Sequence, residues 1–254
     1  MATSLRRGRL ALLQLHHPPE ARQLARRWGV CLPLVECSHP PRGQEGFYLW
    51  HDGRRLQLYR GQDPHGICLG ADDFAARVSY GNALVRACGV TRKHRPSIVD
   101  AMAGLGTDAM TLAAVGCTVE LFEREPPLWA LLDDFLDVHP MPGVRLHCAD
   151  SLQWLSKQTD ACCDTLYLDP LFPERAKKAL PGKAMQYVRS LVEQTRARNG
   201  EHGWELNPEW LASTALVVRE RLVLKRRLRD PVIAKPAWQI KARTVRYDVY
   251  RGAG

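Results

Sequence analysis

Residues 98–108 read IVDAMAGLGTD and hold the pattern that decides the fold. The apolar run from Ile98 to Met102 predicts a buried strand, and Gly104 and Gly106 follow it. Glycine allows the tight turn that joins a strand to a helix, and it lets the backbone approach a ligand closely. The segment therefore predicts a strand, a glycine-rich loop and a helix that begins near Asp108.

The same alternation of strand and helix continues to the end of the chain. Further strands are predicted at residues 118–122, 144–148, 165–168, 221–225 and 245–250. Helices are predicted at residues 108–115, 126–138, 151–157, 183–198 and 208–218. Such alternation is typical of a parallel, doubly wound α/β sheet, which binds ligands at the carboxyl ends of its strands. We therefore expect the chemistry to lie in the loops that follow the strands.

The region before residue 96 has a different character, because it is rich in turn-forming residues. A β-hairpin is predicted at residues 47–59, where an Asp-Gly turn separates two apolar runs. Helical spacing follows at residues 72–88. The sequence thus predicts an N-terminal extension, residues 1–95, and a Rossmann-like domain, residues 96–254.

Composition favours a folded and basic protein. The 254 residues are 45% hydrophobic and 25% charged, which excludes a disordered or collagen-like chain. The 36 Lys and Arg exceed the 27 Asp and Glu, and the formal charge of +9 favours a polyanionic partner such as nucleic acid, although an ordinary basic enzyme fits it too. Eight cysteines without a C-x-x-C motif predict reduced thiols and no metal site. No apolar run reaches the roughly 18 residues of a membrane span, so we expect a cytoplasmic protein with no membrane partner.

The glycine-rich loop predicts a nucleotide-containing cofactor, because the helix after it directs its backbone amides and positive dipole end at a ligand. Glu123 ends the second strand, nineteen residues after Gly104, where dinucleotide-binding folds place an acid on the ribose hydroxyls. Asp150 and Ser151 follow the third strand, and they either cap the next helix or lie beside an adenine ring. An ordinary turn and a solvated strand end explain the same residues. Sites for NAD and for S-adenosylmethionine share this pattern.

The fourth loop separates those two cofactors. Residues 166–173 read LYLDPLFP and resemble the Asp/Asn-Pro-Pro-Tyr/Phe motif of amino-methyltransferases. A carboxylate at Asp169 accepts a hydrogen bond from an exocyclic amine and orients it toward a sulfonium methyl group. Pro170 stiffens the loop, and Phe172 offers a face on which a flipped-out base stacks. A strand-end turn with a buried phenylalanine is the other explanation.

Residues 65–251 resemble the RsmJ family of bacterial 16S rRNA guanine-N2 methyltransferases. The resemblance is carried by residues 100–108, 113–117, 123–124, 131–134, 167–173, 190–192, 223–226 and 246–250. It implies a class I S-adenosylmethionine-dependent methyltransferase, with a Rossmann-like doubly wound sheet and a small N-terminal α+β extension. It also implies methylation of guanine-1516, near the 3′ end of the small-subunit rRNA. The cofactor-binding positions that it implies are Thr107-Asp108, Glu123-Arg124, Asp150-Ser151 and Asp169.

An enzyme of this kind needs cationic surface near its pocket, and its expected partner is 16S rRNA or the 30S subunit. One candidate cluster, Arg175, Lys177, Lys178 and Lys183, follows the Asp169 loop and is preferred because it shares that edge of the sheet. The other candidates are Lys225-Arg226-Arg227 with Arg229, and Arg92 to Arg95. A solvated face explains any one of them, and the sequence leaves monomer and homodimer open.

Three other functions remain possible on the sequence alone. The first is methylation of a different amine, in tRNA, in DNA or in a small molecule. The second is an NAD-type oxidoreductase, which gives no role to the Asp169 loop. The third is a non-catalytic RNA-binding protein, which has no reason to keep that loop beside a glycine-rich turn.

Overall fold

A computed structural model describes residues 46–172 except 53, 62 and 76, residues 182–199 and 206–254, and the backbone of two short strands nearer the N-terminus. The strands are β1 Leu13–Leu15, β2 Leu34–Glu36, β3 Phe47–His51, β4 Leu56–Arg60, β5 Ser97–Asp100, β6 Thr118–Glu123, β7 Val144–Cys148, β8 Cys163–Leu168, β9 Val218–Arg227, β10 Trp238–Lys241 and β11 Val245–Arg251. The helices are α1 Asp72–Ala75, α2 Ala83–Ala87, α3 Thr107–Ala114, α4 Pro126–Val138, α5 Ser151–Leu155, α6 Lys183–Asn199 and α7 Pro208–Ala215.

The chain forms two compact units, of which the first comprises residues 1–70, 125–138 and 177–203. Its sheet has the strand order β2-β1-β3-β4, in which β1 runs parallel to β2 and to β3. Strands β3 and β4 are antiparallel with Leu49 opposite Leu58, so the predicted hairpin is confirmed.

The second unit comprises residues 71–124, 139–176 and 204–254, and it contains a seven-stranded sheet in the order β10-β11-β9-β8-β5-β6-β7. The five strands from β9 to β7 are parallel, as predicted. Strand β11 is antiparallel to β9 and to β10, so the sheet is mixed and the expectation of a wholly parallel sheet is wrong at this edge. The short turn between β10 and β11, closed by the Ala242 amide on the Val245 carbonyl at 2.8 Å, makes these two strands antiparallel to each other, because so short a connection joins only antiparallel strands.

The core of the second unit explains why its central strands read as unbroken apolar runs. Leu166 and Leu168 of β8 pack in one cluster with Leu222 and Leu224 of β9, and all four are fully buried. Strands inside a parallel sheet are covered on both faces, so neither face needs polar residues. The functional edge of the sheet is therefore built on rigid, buried strands.

Two predicted helices differ from the observed ones by three residues or more. The helix predicted at residues 72–88 is two short helices, because the Asn82 side chain accepts a hydrogen bond from the Leu84 amide and starts α2 anew. The helix predicted at residues 208–218 ends at Ala215, because the chain enters β9 at the buried residue Val218. The four-residue strand β10 was not predicted at all.

Residues 71–95 belong to the second unit. The division into an N-terminal extension, residues 1–95, and a Rossmann-like domain, residues 96–254, stays a prediction. None of the helices in the described residues has both the length and the apolar character that crossing a bilayer requires.

A buried ion pair in β11 holds the loop after β9. The Arg246 guanidinium bonds both carboxylate oxygens of Asp248, at 2.8 Å and 3.0 Å, and both side chains are almost fully buried. It also donates to the carbonyl groups of Arg227 and Leu228 at 3.1 Å and 3.2 Å. This one side chain therefore fixes the point where the chain leaves β9.

Replacing Arg246 with alanine should lower the free energy of unfolding by about 3–5 kcal/mol, because it leaves the Asp248 carboxylate buried without its cation. Urea denaturation of the two proteins measures the difference. The exposed Arg243 provides the matched control, and Arg243→Ala should change the stability by less than about 0.5 kcal/mol. Equal stabilities for the two variants would contradict the role given to Arg246.

Candidate active site

The carboxyl ends of five parallel strands meet at one edge of the second unit's sheet. The chain passes from β5 to β6 on one side of β5, and it later returns to β8 on the other side. Ligands of open α/β sheets bind at such a switch point. The loop after β5, which holds the glycines, and the loop after β8, which begins at Asp169, therefore flank the expected binding crevice.

The glycine-rich loop has the conformation that its sequence predicts. Gly104 and Gly106 have φ angles of 57° and 71°, in the left-handed region that favours glycine, and Gly106 directly precedes α3. The Gly104 amide donates a hydrogen bond of 2.7 Å to Oε2 of Glu123, at the end of β6. A side-chain carbon placed on Gly104 would meet no protein atom within 4 Å, so open space lies in front of this residue. The structure thus brings the loop and the predicted ribose-binding acid together beside an open space.

The third loop adds a capping group and an ion pair. Asp150 caps α5, because its Oδ1 accepts a hydrogen bond of 2.8 Å from the Leu152 amide. Its Oδ2 lies 3.9 Å from the Arg124 guanidinium. The Ser151 hydroxyl donates to the Ala101 carbonyl at 2.6 Å and ties this loop to the end of β5. The helix-capping role of Asp150 is therefore present, and it leaves an oxygen for the ion pair with Arg124.

The most extensive polar network of the site surrounds Asp108, in the first turn of α3, next to its partly exposed first residue, Thr107. One oxygen of Asp108 accepts from Arg77 at 3.1 Å. The other accepts from the Tyr167 hydroxyl and from the Lys225 ammonium, each at 2.6 Å. The same ammonium lies 2.8 Å from Oδ2 of Asp169. A single lysine therefore links the start of α3 to the loop after β8.

The position of Lys225 corrects its predicted place on a cationic RNA-binding surface after a strand. It lies within β9, and its side chain is only 17% exposed. Strands β8 and β9 are parallel with Leu168 opposite Leu224, so the next residues, Asp169 and Lys225, emerge side by side. The sequence signal for a lysine in the site was its position directly after a buried apolar run. The ion-pair partner of Lys225 could not be predicted, because it depends on which strands are neighbours in the sheet.

Burial and charge shift the pKa values in this network. Burial raises the pKa of Asp100, the last residue of β5, to about 8, and the nearby carboxylates of Asp108 and Asp169 add to the rise. Burial also raises the pKa of Asp169, while Lys225 acts in the opposite direction. Burial disfavours the ionised form of Asp108 as well, but the Lys225 charge and hydrogen bond outweigh it and lower that pKa. The two acids that Lys225 contacts thus depend on it for their charge.

The rest of the loop after β8 carries an aromatic ring among cations. Pro170 follows Asp169 directly, and Phe172 is partly exposed rather than buried, which contradicts the explanation of this motif as a turn with a buried phenylalanine. The Cζ atoms of Arg226 and Arg227 lie 5.8 Å and 5.3 Å from the centre of its ring. Both distances suit cation–π contacts. The ring is therefore held by the end of β9.

Of the preferred RNA-binding cluster after the Asp169 loop, the structure describes Lys183 and not the other three members. Arg175, Lys177 and Lys178 lie outside the described residues. Lys183 belongs to the first unit and forms an ion pair of 2.8 Å with Asp63. The cluster at Arg92 to Arg95 precedes β5, at the opposite edge of the sheet from the carboxyl ends. Among the described residues, the guanidinium groups of Arg226 and Arg227 contact the Asp169 loop through the Phe172 ring.

Comparison with known proteins agrees with this geometry. The family described as putative SAM-dependent methyltransferase matches residues 37–252. The ribosomal RNA small subunit methyltransferase J of Thioalkalivibrio sulfidiphilus is 37% identical over 187 residues, which cover 69% of this chain and 70% of that protein. Its namesake from Ectopseudomonas mendocina is 33% identical and covers 95% of this chain and 93% of its own. The crystal structure of a SAM-dependent methyltransferase from Neisseria gonorrhoeae has a TM-score of 0.68, with 25% identity and 96% of both chains covered.

The sheet order, the glycine-rich loop and these matches define a class I S-adenosylmethionine-dependent methyltransferase with a Rossmann-like sheet. Within that class, the chain belongs to the family described as putative SAM-dependent methyltransferase. Over most of its length, the chain is similar to proteins named ribosomal RNA small subunit methyltransferase J. The resemblance read from the sequence and the predicted cofactor, S-adenosylmethionine, are confirmed. Within the described residues, no group of three or more His, Cys, Asp or Glu side chains is placed to hold a metal ion.

Replacing Glu123 with alanine should weaken the binding of S-adenosylmethionine and S-adenosylhomocysteine by about 1–3 kcal/mol, the cost of losing a hydrogen bond to a charged group. Isothermal titration calorimetry measures both affinities, and the wild type should bind no NAD. Glu120 lies on the same strand and pairs with His147, so Glu120→Ala is the matched control and should bind normally. An unchanged affinity of Glu123→Ala would remove this residue from the cofactor site.

Proposed function

We propose that this protein transfers the methyl group of S-adenosylmethionine to the exocyclic N2 amine of a guanine in 16S rRNA, namely guanine-1516. The observation that carries the proposal is the place of Asp169 at the carboxyl end of β8, beside the switch point and paired with Lys225. The relatives whose printed names are ribosomal RNA small subunit methyltransferase J support rRNA of the small subunit as the substrate class. The cytoplasm, where free thiols such as those of the six described cysteines persist, is the proposed location.

The residues around the open space at Gly104 fit the cofactor. Gly104 leaves room for close backbone approach, and Glu123 places a carboxylate beside that backbone, where it suits ribose hydroxyls. We assign Thr107-Asp108 to the amino-acid end, at the start of α3, and Arg124 with Asp150-Ser151 to the adenine end. When bound, S-adenosylmethionine supplies an electrophilic methyl group on a sulfonium.

Asp169 acts on the amine that receives this methyl group. The nitrogen of an exocyclic amine is a weak nucleophile, because its electron pair is delocalised into the base. The Asp169 carboxylate accepts a hydrogen bond from the N–H and turns that electron pair toward the methyl carbon. The new N–C bond forms as the S–C bond breaks, the S–C electron pair stays on sulfur, and the nitrogen releases a proton that Asp169 accepts or passes to water. The raised pKa of Asp169 makes it a better proton acceptor.

Phe172 and Pro170 serve the base that carries the amine. A base inside a folded RNA must leave its stack before its amine can enter a protein site. The partly exposed Phe172 ring offers a replacement stacking surface, and the contacts of Arg226 and Arg227 hold it in place. Pro170 restricts the backbone between Asp169 and that ring.

The same two arginines provide the cationic surface that the RNA substrate needs. They lie within contact distance of Phe172, so they flank the place where the base enters. Arginine pairs with phosphate through two parallel hydrogen bonds, and the net charge of +9 attracts RNA from a distance. We therefore propose that Arg226 and Arg227 contact phosphates next to the target guanine.

A second candidate function is methylation of another amine, in tRNA, DNA or a small molecule. The Asp169 loop serves any planar amine, so the geometry alone favours none of these substrates. Tritiated methyl transfer separates them, because 30S particles from a strain that lacks the activity should accept label, while tRNA and duplex DNA should not. Mapping the label to a nucleotide other than guanine-1516 would overturn the finer assignment and leave the reaction class intact.

Asp169→Asn should bind S-adenosylmethionine nearly as the wild type does and lose at least about 100-fold in turnover, because the amide keeps part of the orientation but not the charge. Asp169→Ala should lose more, since it removes both. The assay is methyl transfer to 30S particles at saturating cofactor, with calorimetry as the binding control. Wild-type turnover in Asp169→Ala with cofactor bound would contradict the catalytic role.

Replacing Arg226 and Arg227 together with glutamine should weaken RNA binding and flatten its dependence on salt. Each lost phosphate contact should lower the slope of log affinity against log salt by about 0.7 to 0.9. Titrations of rRNA fragments at several salt concentrations measure the slope. Replacing Arg92 and Lys93, which are exposed before β5, provides a control of equal charge change. A slope that falls only in the control would place the RNA at the opposite edge of the sheet.

A further inference from the structure

We propose that Lys225 is a positioning residue of the methyl transfer, which holds the Asp169 carboxylate in its productive orientation and keeps it ionised. The proposal rests on the catalytic role proposed for Asp169. It assigns to Lys225 a task inside the site, in place of the RNA contact that its basic character suggests.

The register of the sheet makes the contact rigid. Leu168 and Leu224 are opposite each other on parallel strands, and both are fully buried. Asp169 and Lys225 directly follow these two residues, so the buried ends of the paired strands set where their backbones lie. The Lys225 ammonium lies 2.8 Å from Oδ2 of Asp169. The contact between Lys225 and Asp169 is therefore formed without any bound ligand.

A second carboxylate anchors the other side of the ammonium. Asp108 contacts Lys225 at 2.6 Å and is itself held by Tyr167 at 2.6 Å and by Arg77 at 3.1 Å. With two carboxylates as partners, the flexible lysine stem has one favoured conformation, which points the ammonium at Asp169. A positively charged group with so few exposed atoms gains little from water, so it is held mainly by these two anions.

The charges around Asp169 explain why an adjacent cation is needed. The titratable groups that face it come from five elements: Lys225 on β9, Asp108 on α3, Asp100 on β5, Tyr167 on β8 and Tyr247 on β11, with Arg77 before α2. Burial and the neighbouring carboxylates favour the neutral acid, which cannot accept a second hydrogen bond as strongly as the ion. Lys225 is the cation in direct contact with Asp169 that opposes this effect.

Removal of the lysine charge tests the proposal through the pH dependence of turnover. The ionised Asp169 is the active form, so activity is lost as the pH falls through its pKa. Lys225→Met removes an opposite charge within contact distance and should raise that pKa, which moves the acidic limb of the kcat profile to higher pH by about one to three units. At neutral pH, kcat should fall by about 100-fold, while the KM for S-adenosylmethionine changes little.

A second variant should shift the same limb in the other direction. Asp108→Asn removes a negative charge near Asp169 but keeps an amide oxygen that can accept a hydrogen bond from the Lys225 ammonium. The acidic limb should therefore move to lower pH at saturating cofactor. A role in folding alone predicts no shift of either sign. Lys225→Arg keeps the charge and should restore the position of the limb, and Lys241→Met removes an exposed lysine from β10 as the matched control.

The Asp169 carboxyl can also be titrated without turnover, by carbon-13 NMR of protein labelled at aspartate and assigned with Asp169→Asn. The pKa should rise in Lys225→Met and fall in Asp108→Asn, and thermal unfolding confirms that each variant is folded. An unchanged profile and an unchanged pKa in both variants would overturn the positioning role. If Asp169→Asn itself turns over normally, the proposed function fails, whereas an inactive Asp169→Asn with an unshifted Lys225→Met rejects only the role of Lys225. If Lys225→Met does not fold, Lys225→Gln removes the same charge with a polar side chain, and the Asp169 pKa in that variant decides the question.

Discussion

The contact of one ammonium with two carboxylates connects the parts of this site that the fold brings to one edge. Lys225 lies within β9, Asp108 lies in the first turn of α3 after the glycine-rich loop, and Asp169 begins the loop after β8. The cofactor-binding loop and the candidate catalytic loop thus meet through one side chain. Any change in the register of β8 and β9 would separate the pair, so the geometry of the chemistry depends on the packing of two buried strands.

The network of Lys225, Asp108 and Asp169 is not explained by a contribution to the stability of the fold. Moving charges out of water is costly, and a buried ion pair rarely stabilises a fold more than well-packed apolar residues of similar size. Arg246 and Asp248 show the structural use of such a pair, because the arginine also bonds the carbonyl groups of a loop. Among the residues that the structure describes, the Lys225 ammonium bonds the carboxylates of Asp108 and Asp169, at the carboxyl edge of the sheet. A charge network placed at the ligand-binding edge suits the control of a reaction better than the support of a core.

Much of this architecture could be predicted from local sequence. The helix at residues 126–138 and the strand at residues 144–148 have the predicted bounds, because their apolar periodicity and flanking prolines are local signals. The antiparallel β10 was missed because four alternating residues are too short to stand out. The pairing of Glu123 with the glycine-rich loop followed from a spacing rule, and the structure agrees with it. The partner of Lys225 could not be predicted, because it depends on β9 lying next to β8, which is a property of the sheet and not of either segment.

Two opposite electrostatic demands meet at the end of β9. A cationic sulfonium requires a site without excess positive charge, whereas RNA requires a cationic surface next to it. In the inner network, Lys225 and Arg77 are balanced by Asp108 and Asp169, while burial raises the pKa of Asp100 to about 8. The positive charges of Arg226 and Arg227 instead lie against the partly exposed Phe172. Of these three consecutive basic residues, the first therefore has its charge balanced by carboxylates next to the glycine-rich loop, while the other two place their charges beside an aromatic ring.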